Sequence, residues 1–208
     1  VGARELALGR VGAPVAGEAL LLSRCREGDP QAFARLVALH ERMVLDLASR
    51  LLGDPEEAKD LAQEVFLQVY KMLGSFEARS SLKTWIYRIV VNRCRNRLRF
   101  WRRRRREKSL PIEELLPGQE AKLAEANPGS DPLQSIERRE VGEQVQRALA
   151  RLSFNHRALL LLREADELSC AQIAEALGVR EGTVKSRLAR AREALRRELE
   201  PLLPGGTR

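Results

Sequence analysis

Cysteine and histidine are scarce, at three and two of 208 residues. Cys25, Cys94 and Cys170 lie far apart and form no C-x-x-C, and His40 and His156 complete no zinc-ligand spacing, so neither a disulfide framework nor a bound metal is expected. Each cysteine reads as a small, at least half-buried hydrophobe in a reducing compartment, with a redox role as the alternative. Aromatic residues make up only 4% of the chain, which argues against an enzyme built around a deep pocket. No apolar run approaches the roughly 18 residues of a membrane span, and the first residues lack a basic segment followed by an apolar core. The chain is therefore expected to be cytoplasmic, with no membrane contact of its own.

Acidic residues are missing from one long stretch, Arg79 to Arg106, which carries Lys83 and many arginines. Within it Leu82, Trp85, Ile86, Ile89, Val90 and Leu98 recur at spacings of three and four, the buried face of a helix. Arg88, Asn92, Arg95 and Arg99 follow a helical spacing on another face. A rigid rod presenting arginines and an amide suits a phosphate backbone and the bases beside it. The alternative is a solvated charged face, and the lack of any acid within the run to pair with these arginines favours nucleic acid. The net charge of +8 points the same way.

Ahead of this helix stand two similar punctuation marks, Gly28-Asp29-Pro30 and Gly53-Asp54-Pro55. In each, Gly can end a helix in a left-handed conformation, Asp can cap the next, and Pro suits its first turn. They predict helices at 18 to 27, 30 to 52 and 55 to 73. In the third, Leu61, Val65 and Val69 form a buried stripe beside Ala58, Ala62 and Phe66, while Asp60, Gln63, Glu64 and Gln68 lie largely on other faces. Gly74 stops this helix, and residues 76 to 81 form a loop.

Residues 107 to 135 are punctuated by Pro and Gly and rich in acids; the composition permits a short helix near Glu120 to Glu125 but gives it no convincing core face. They read as a flexible linker whose acids are either solubilising charge or a mimic of nucleic acid. Beyond it Val141, Val145, Leu149 and Leu152 form a stripe, and a second helix is expected from Asn155 to Glu164. Ser169 can cap a helix containing Ile173, Ala174 and Leu177; Gly178-Val179 makes a tight turn; and a basic helix starts at Glu181 or Gly182, with Val184, Leu188 and Leu195 inward. This is a helix-turn-helix pattern, whose second helix would enter a major groove with Glu181, Thr183, Lys185, Ser186, Arg187 and Arg190 outward. The expected architecture is all-α: a mobile tail (1–16), an N-terminal helical bundle (17–106), the linker (107–135), a C-terminal helix-turn-helix domain (136–200) and a tail (201–208).

Three motifs, Asp60-Leu61-Ala62-Gln63-Glu64-Val65-Phe66, then Thr84-Trp85-Ile86-Tyr87-Arg88-Ile89 with Asn92, then Gly182-Thr183-Val184-Lys185-Ser186-Arg187-Leu188, occur in this order. Together they resemble a bacterial extracytoplasmic-function (ECF) sigma factor of the sigma-70 family, over about residues 18 to 106 and 136 to 200. The resemblance implies a protein that binds core RNA polymerase, through the β′ coiled coil and the β subunit, and directs initiation at promoter DNA, with an anti-sigma factor as a further partner. It implies polymerase docking by Asp60, Gln63, Glu64 and Phe66. Minus-ten reading and melting would fall to Phe76, Arg79, Ser80, Lys83, Arg88, Asn92, Arg95, Asn96 and Arg99, and minus-thirty-five reading to the outward set of the last helix. Leu82 stands where the family often has an aromatic and Asn96 where an Asp is common, which bears on which base is flipped.

No catalytic residue, metal or cofactor is expected. A helical nuclease would need a carboxylate cluster for its metal, and Asp54, Glu56, Glu57 and Asp60 sit around a helix start where capping and dipole pairing account for them. A stand-alone helix-turn-helix regulator with a helical sensory domain is the remaining alternative, but it leaves Asp60 to Phe66 without a role.

Overall fold

A computed structural model describes residues 16–108 and 132–202. The linker helix permitted near Glu120, most of both tails and the side chain of Ile136 fall outside the described residues. Among the described residues all regular structure is helical.

The N-terminal region has α1 (Ala16–Arg26), α2 (Pro30–Leu52), α3 (Pro55–Met72) and α4 (Leu82–Lys108). Both punctuation marks work as their chemistry dictates. Asp29 accepts from the backbone N–H of Gln31 and Ala32, and Asp54 from those of Glu56 and Glu57, each with Pro opening the helix. Gly28 and Gly53 hold the left-handed conformation, at φ 84° and 77°, that lets the chain reverse. Leu61, Val65, Val69, Ile86 and Val90 are all buried in the core where α2, α3 and α4 meet. Burial of side chains this size is worth roughly 1.5–3 kcal/mol each.

α3 ends at Met72 and a 3-10 turn, Leu73–Ser75, carries the chain past Gly74. Arg26 on α1 ties down this turn and the start of the loop by donating to the carbonyls of Leu73 and Phe76, at 3.4 and 2.5 Å. Ser81 then starts α4 by accepting from the Thr84 N–H at 3.1 Å.

The C-terminal region has α5 (Pro132–Arg151), α6 (Phe154–Leu160), α7 (Cys170–Leu177) and α8 (Glu181–Leu199). Ser169 and Gln172 cap α7 reciprocally, and Gly178 at φ 66° makes the turn into α8. Of the stripe expected on α5, Leu149 and Leu152 are buried, but Val141 is 59% exposed, because the packing of α5 begins further along. The helix expected to reach Glu164 changes character: after Leu160 it widens into a π-helical turn, Leu161–Ala165. There the Asp166 N–H donates to the Leu161 carbonyl at 3.0 Å, and Glu167 takes a left-handed φ of 56°. A non-glycine residue there costs roughly 1–2 kcal/mol.

Nothing in the sequence signals how the two regions meet. α7 packs on α4, and α6 touches α2. The Tyr87 hydroxyl of α4 lies near the carboxylate of Asp166, close enough for each to shift the other's ionisation. The guanidinium of Arg95 lies 5.5 Å from the centre of the Phe154 ring. Arg157 on α6 is buried near Cys94 and Arg102 of α4, with its Nε unpartnered.

Candidate nucleic-acid interface

The arginines of α4 divide by face. Arg93 and Arg97 turn toward α3: Arg97 pairs with Glu57 and with Glu64, the latter at 2.5 Å, and Arg93 reaches Glu64 at 3.4 Å. The acid-free run is therefore only locally acid-free, and two of its cations are neutralised by the preceding helix. Arg88, Asn92, Asn96 and Arg99 are exposed on another face, with Arg95 half-buried beside them. Burial against the second region, and then the charge of Arg99, holds the pKa of Arg95 below its ordinary value.

This outward face borders a groove of about 570 Å³ between α3 and α4. Trp85, Ile89 and Met72 supply its apolar lining, and Arg88, Asn92 and Asn96 are among its polar groups. Trp85 is braced by Phe76, the ring centroids 5.0 Å apart. Gln68, Met72, Trp85 and Ile89 were not among the residues expected to touch nucleic acid. The spacing of Gln68 and Met72, i and i+4 on the helix before the basic one, is the signal that could have found them.

Two of the expected contact residues, Phe76 and Ser80, are buried. Phe76 is 6% exposed and Ser80 7%, because the loop folds inward over Trp85 and the start of α4 rather than presenting its side chains. Lys83 and Arg79 are exposed, Arg79 paired with Glu77 at 2.6 Å.

On α3, Asp60 and Gln63 are exposed, whereas Glu64 is half-buried by its two arginines. Phe66, expected on the docking face, is 8% exposed and lies in the hydrophobic core together with Val65 and Val69. Leu67, unforeseen in the sequence, is 60% exposed and continues the row from Asp60 and Gln63 at helical spacing.

On α8, at about 100° per residue, Thr183, Ser186, Arg187 and Arg190 fall on one side, about a third of a turn round from buried Val184, Leu188 and Ala191, with Thr183 half-buried and the other three exposed. Glu181 and Lys185 lie apart from that side and pair with each other at 2.9 Å, which raises the pKa of Lys185. The six expected readers thus resolve into a set of four and a self-satisfied pair.

Among the described residues no three or more His, Cys, Asp or Glu could hold a metal ion, and no helix is long and apolar enough to cross a membrane.

The family model described as Sigma-70 region 2 matches residues 36–107, and that described as Sigma-70, region 4 matches residues 142–195. The RNA polymerase sigma-H factor of Pseudomonas aeruginosa is 35% identical over 187 residues, which cover 88% of this chain and 94% of that protein. The ECF RNA polymerase sigma factor SigW of Bacillus subtilis is 31% identical over 184 residues, covering 87% and 96%. Among solved structures, the sigma factor RpoE of Bartonella quintana, in complex with the anti-sigma factor NepR, has a TM-score of 0.63 at 27% identity, covering 81% of this chain and 96% of that one.

Proposed function

The chain belongs to the ECF sigma factors of the sigma-70 family, and from that premise we propose how its surfaces divide the work of promoter-specific initiation. It binds core RNA polymerase and supplies address and strand opening, while the polymerase supplies the chemistry. The observation that carries this reading is the presence, in one chain, of two separate helices with outward basic faces, α4 and α8, and a third, α3, with an exposed acid and amide row.

Asp60, Gln63 and Leu67 dock on the β′ coiled coil, a partner of opposite charge with an apolar anchor. Glu64 acts from behind this row by holding Arg93 and Arg97. Arg88, Asn92, Asn96 and Arg99 hold the minus-ten strand once it is unstacked. Stacking in the groove and phosphate contacts offset an opening cost of a few kcal/mol per base. Thr183, Ser186, Arg187 and Arg190 read the minus-thirty-five element in the major groove.

The residues between Lys108 and Pro132 could span roughly 75 Å if extended, so the two readers can reach separate elements. In the free chain Arg95 is engaged by Phe154, so its use on DNA requires that contact to loosen. Free promoter binding is accordingly weak, and polymerase makes the two readers effectively bivalent. The regulator is an anti-sigma protein that covers the same faces. The test is affinity for core polymerase: Asp60→Lys and Gln63→Ala should weaken it while leaving the fold intact, and undiminished binding by both would refute the docking assignment.

A further inference from the structure

Resting on that reading, we infer that Gln68 is a specificity-determining residue, which reads a carbonyl oxygen on an unstacked base of the minus-ten element and so disfavours adenine.

The amide is oriented by its neighbours. Arg93 Nε donates to Gln68 Oε1 at 2.5 Å, and a guanidinium can only donate, so the atom facing it must be the amide oxygen. Arg93 is itself held by Glu64. The amide nitrogen of Gln68 is therefore turned away from Arg93, where its contact is the thioether of Met72 at 3.3 Å, a weak acceptor. Both residues line the 570 Å³ groove, which has room for a nucleobase against Trp85. Asn92 repeats the pattern on the facing helix, its oxygen accepting from Arg95 at 3.4 Å. The groove thus offers amide donors whose own oxygens are already committed.

Thymine, cytosine and guanine each carry a carbonyl oxygen that can accept from such donors. Adenine carries none. A ring nitrogen of adenine can still accept from the amide, but the stronger hold is bidentate, the amide oxygen taking the N6 amino group while its nitrogen serves N7. Here that oxygen belongs to Arg93.

The experiment is transcription by holoenzyme, core polymerase with the full chain, on one promoter carrying each of the four bases at every minus-ten position. The wild type should show, at one position, an adenine penalty on the order of tenfold. Gln68→Met keeps the volume but removes the donors, and should erase that penalty. Gln68→Glu leaves one carboxylate oxygen on Arg93 and presents the other as an acceptor, so the adenine penalty should reverse and thymine, which alone lacks an exocyclic amino group, should become the disfavoured base. An unchanged base profile in both variants would overturn the inference, as would a loss equal for all four bases, which is what a merely structural role predicts. If wild-type holoenzyme initiated at no promoter, the proposed function would fall and take this inference with it.

Discussion

Arg157 should make the protein less stable than a methionine in its place would. The residue is 9% exposed, and its Nε has no hydrogen-bond partner. The titratable neighbours that act on it are Arg102, which is of like charge, and Cys94. That thiol cannot serve as a counter-ion, because burial pushes its pKa up to about 12 and keeps it neutral. An unsatisfied buried polar atom costs about 1–3 kcal/mol, and exchanging buried charge for apolar volume often stabilises by a similar amount. Arg157→Met retains the aliphatic stem, so the net gain should be about 1–2 kcal/mol. For a chain of this size that raises the melting temperature by roughly 4 °C. Calorimetry at pH 7 and moderate salt reads this directly, with Arg157→Ala as the control that loses the stem packing and should melt lower than the methionine variant. A fall of a few degrees for Arg157→Met would refute the reasoning, since it would mean that the guanidinium has a compensating partner at this seam.

Asp54→Ala, which removes the side-chain acceptor for the N–H groups of Glu56 and Glu57, should cost about 1 kcal/mol, and denaturant unfolding measures it. Burial, first among the causes, and Asp46 raise the pKa of Asp166 against the lowering effects of Tyr87, Arg50 and Lys83. Such a raised group stabilises fully at low pH and loses its contribution as pH climbs through its folded value. Asp166→Asn should therefore gain melting temperature relative to wild type more at pH 7 than at pH 4, and equal differences at both would contradict the burial. Arg187→Ala should relax preference at one minus-thirty-five base by about 1–3 kcal/mol, whereas Arg103→Ala should weaken DNA binding evenly and lower the salt slope by about one unit. Identical, sequence-blind losses from both would argue against the recognition-helix assignment.

What was legible in the sequence was local. Asp29 and Asp54 announce their helices because cap, glycine and proline act within a few residues, and Ser169, Gly178 and the stripe of Val184 and Leu188 do the same for α7 and α8. What was not legible depends on partners distant in sequence. Arg93 and Arg97 lie four apart on one face, and Glu57 and Glu64 seven apart on the preceding helix, so their pairing could have been suspected, but only packing decides it. Phe76 is fixed in part by Arg26, some fifty residues earlier in the chain, which donates to its carbonyl. The meeting of Tyr87 with Asp166 depends on a π-helical turn for which no residue pattern is diagnostic.

Docking through α3 and promoter selection through α4 and α8 meet in a single assay: transcription by core RNA polymerase on fragmented genomic DNA, with and without the protein. Discrete new start sites should appear with the wild type and vanish when Asp60→Lys and Gln63→Ala are combined, two exposed changes that leave the Glu64 ion pairs in place. Start sites indifferent to the protein, together with tight binding of the free chain to a symmetric operator, would contradict the account.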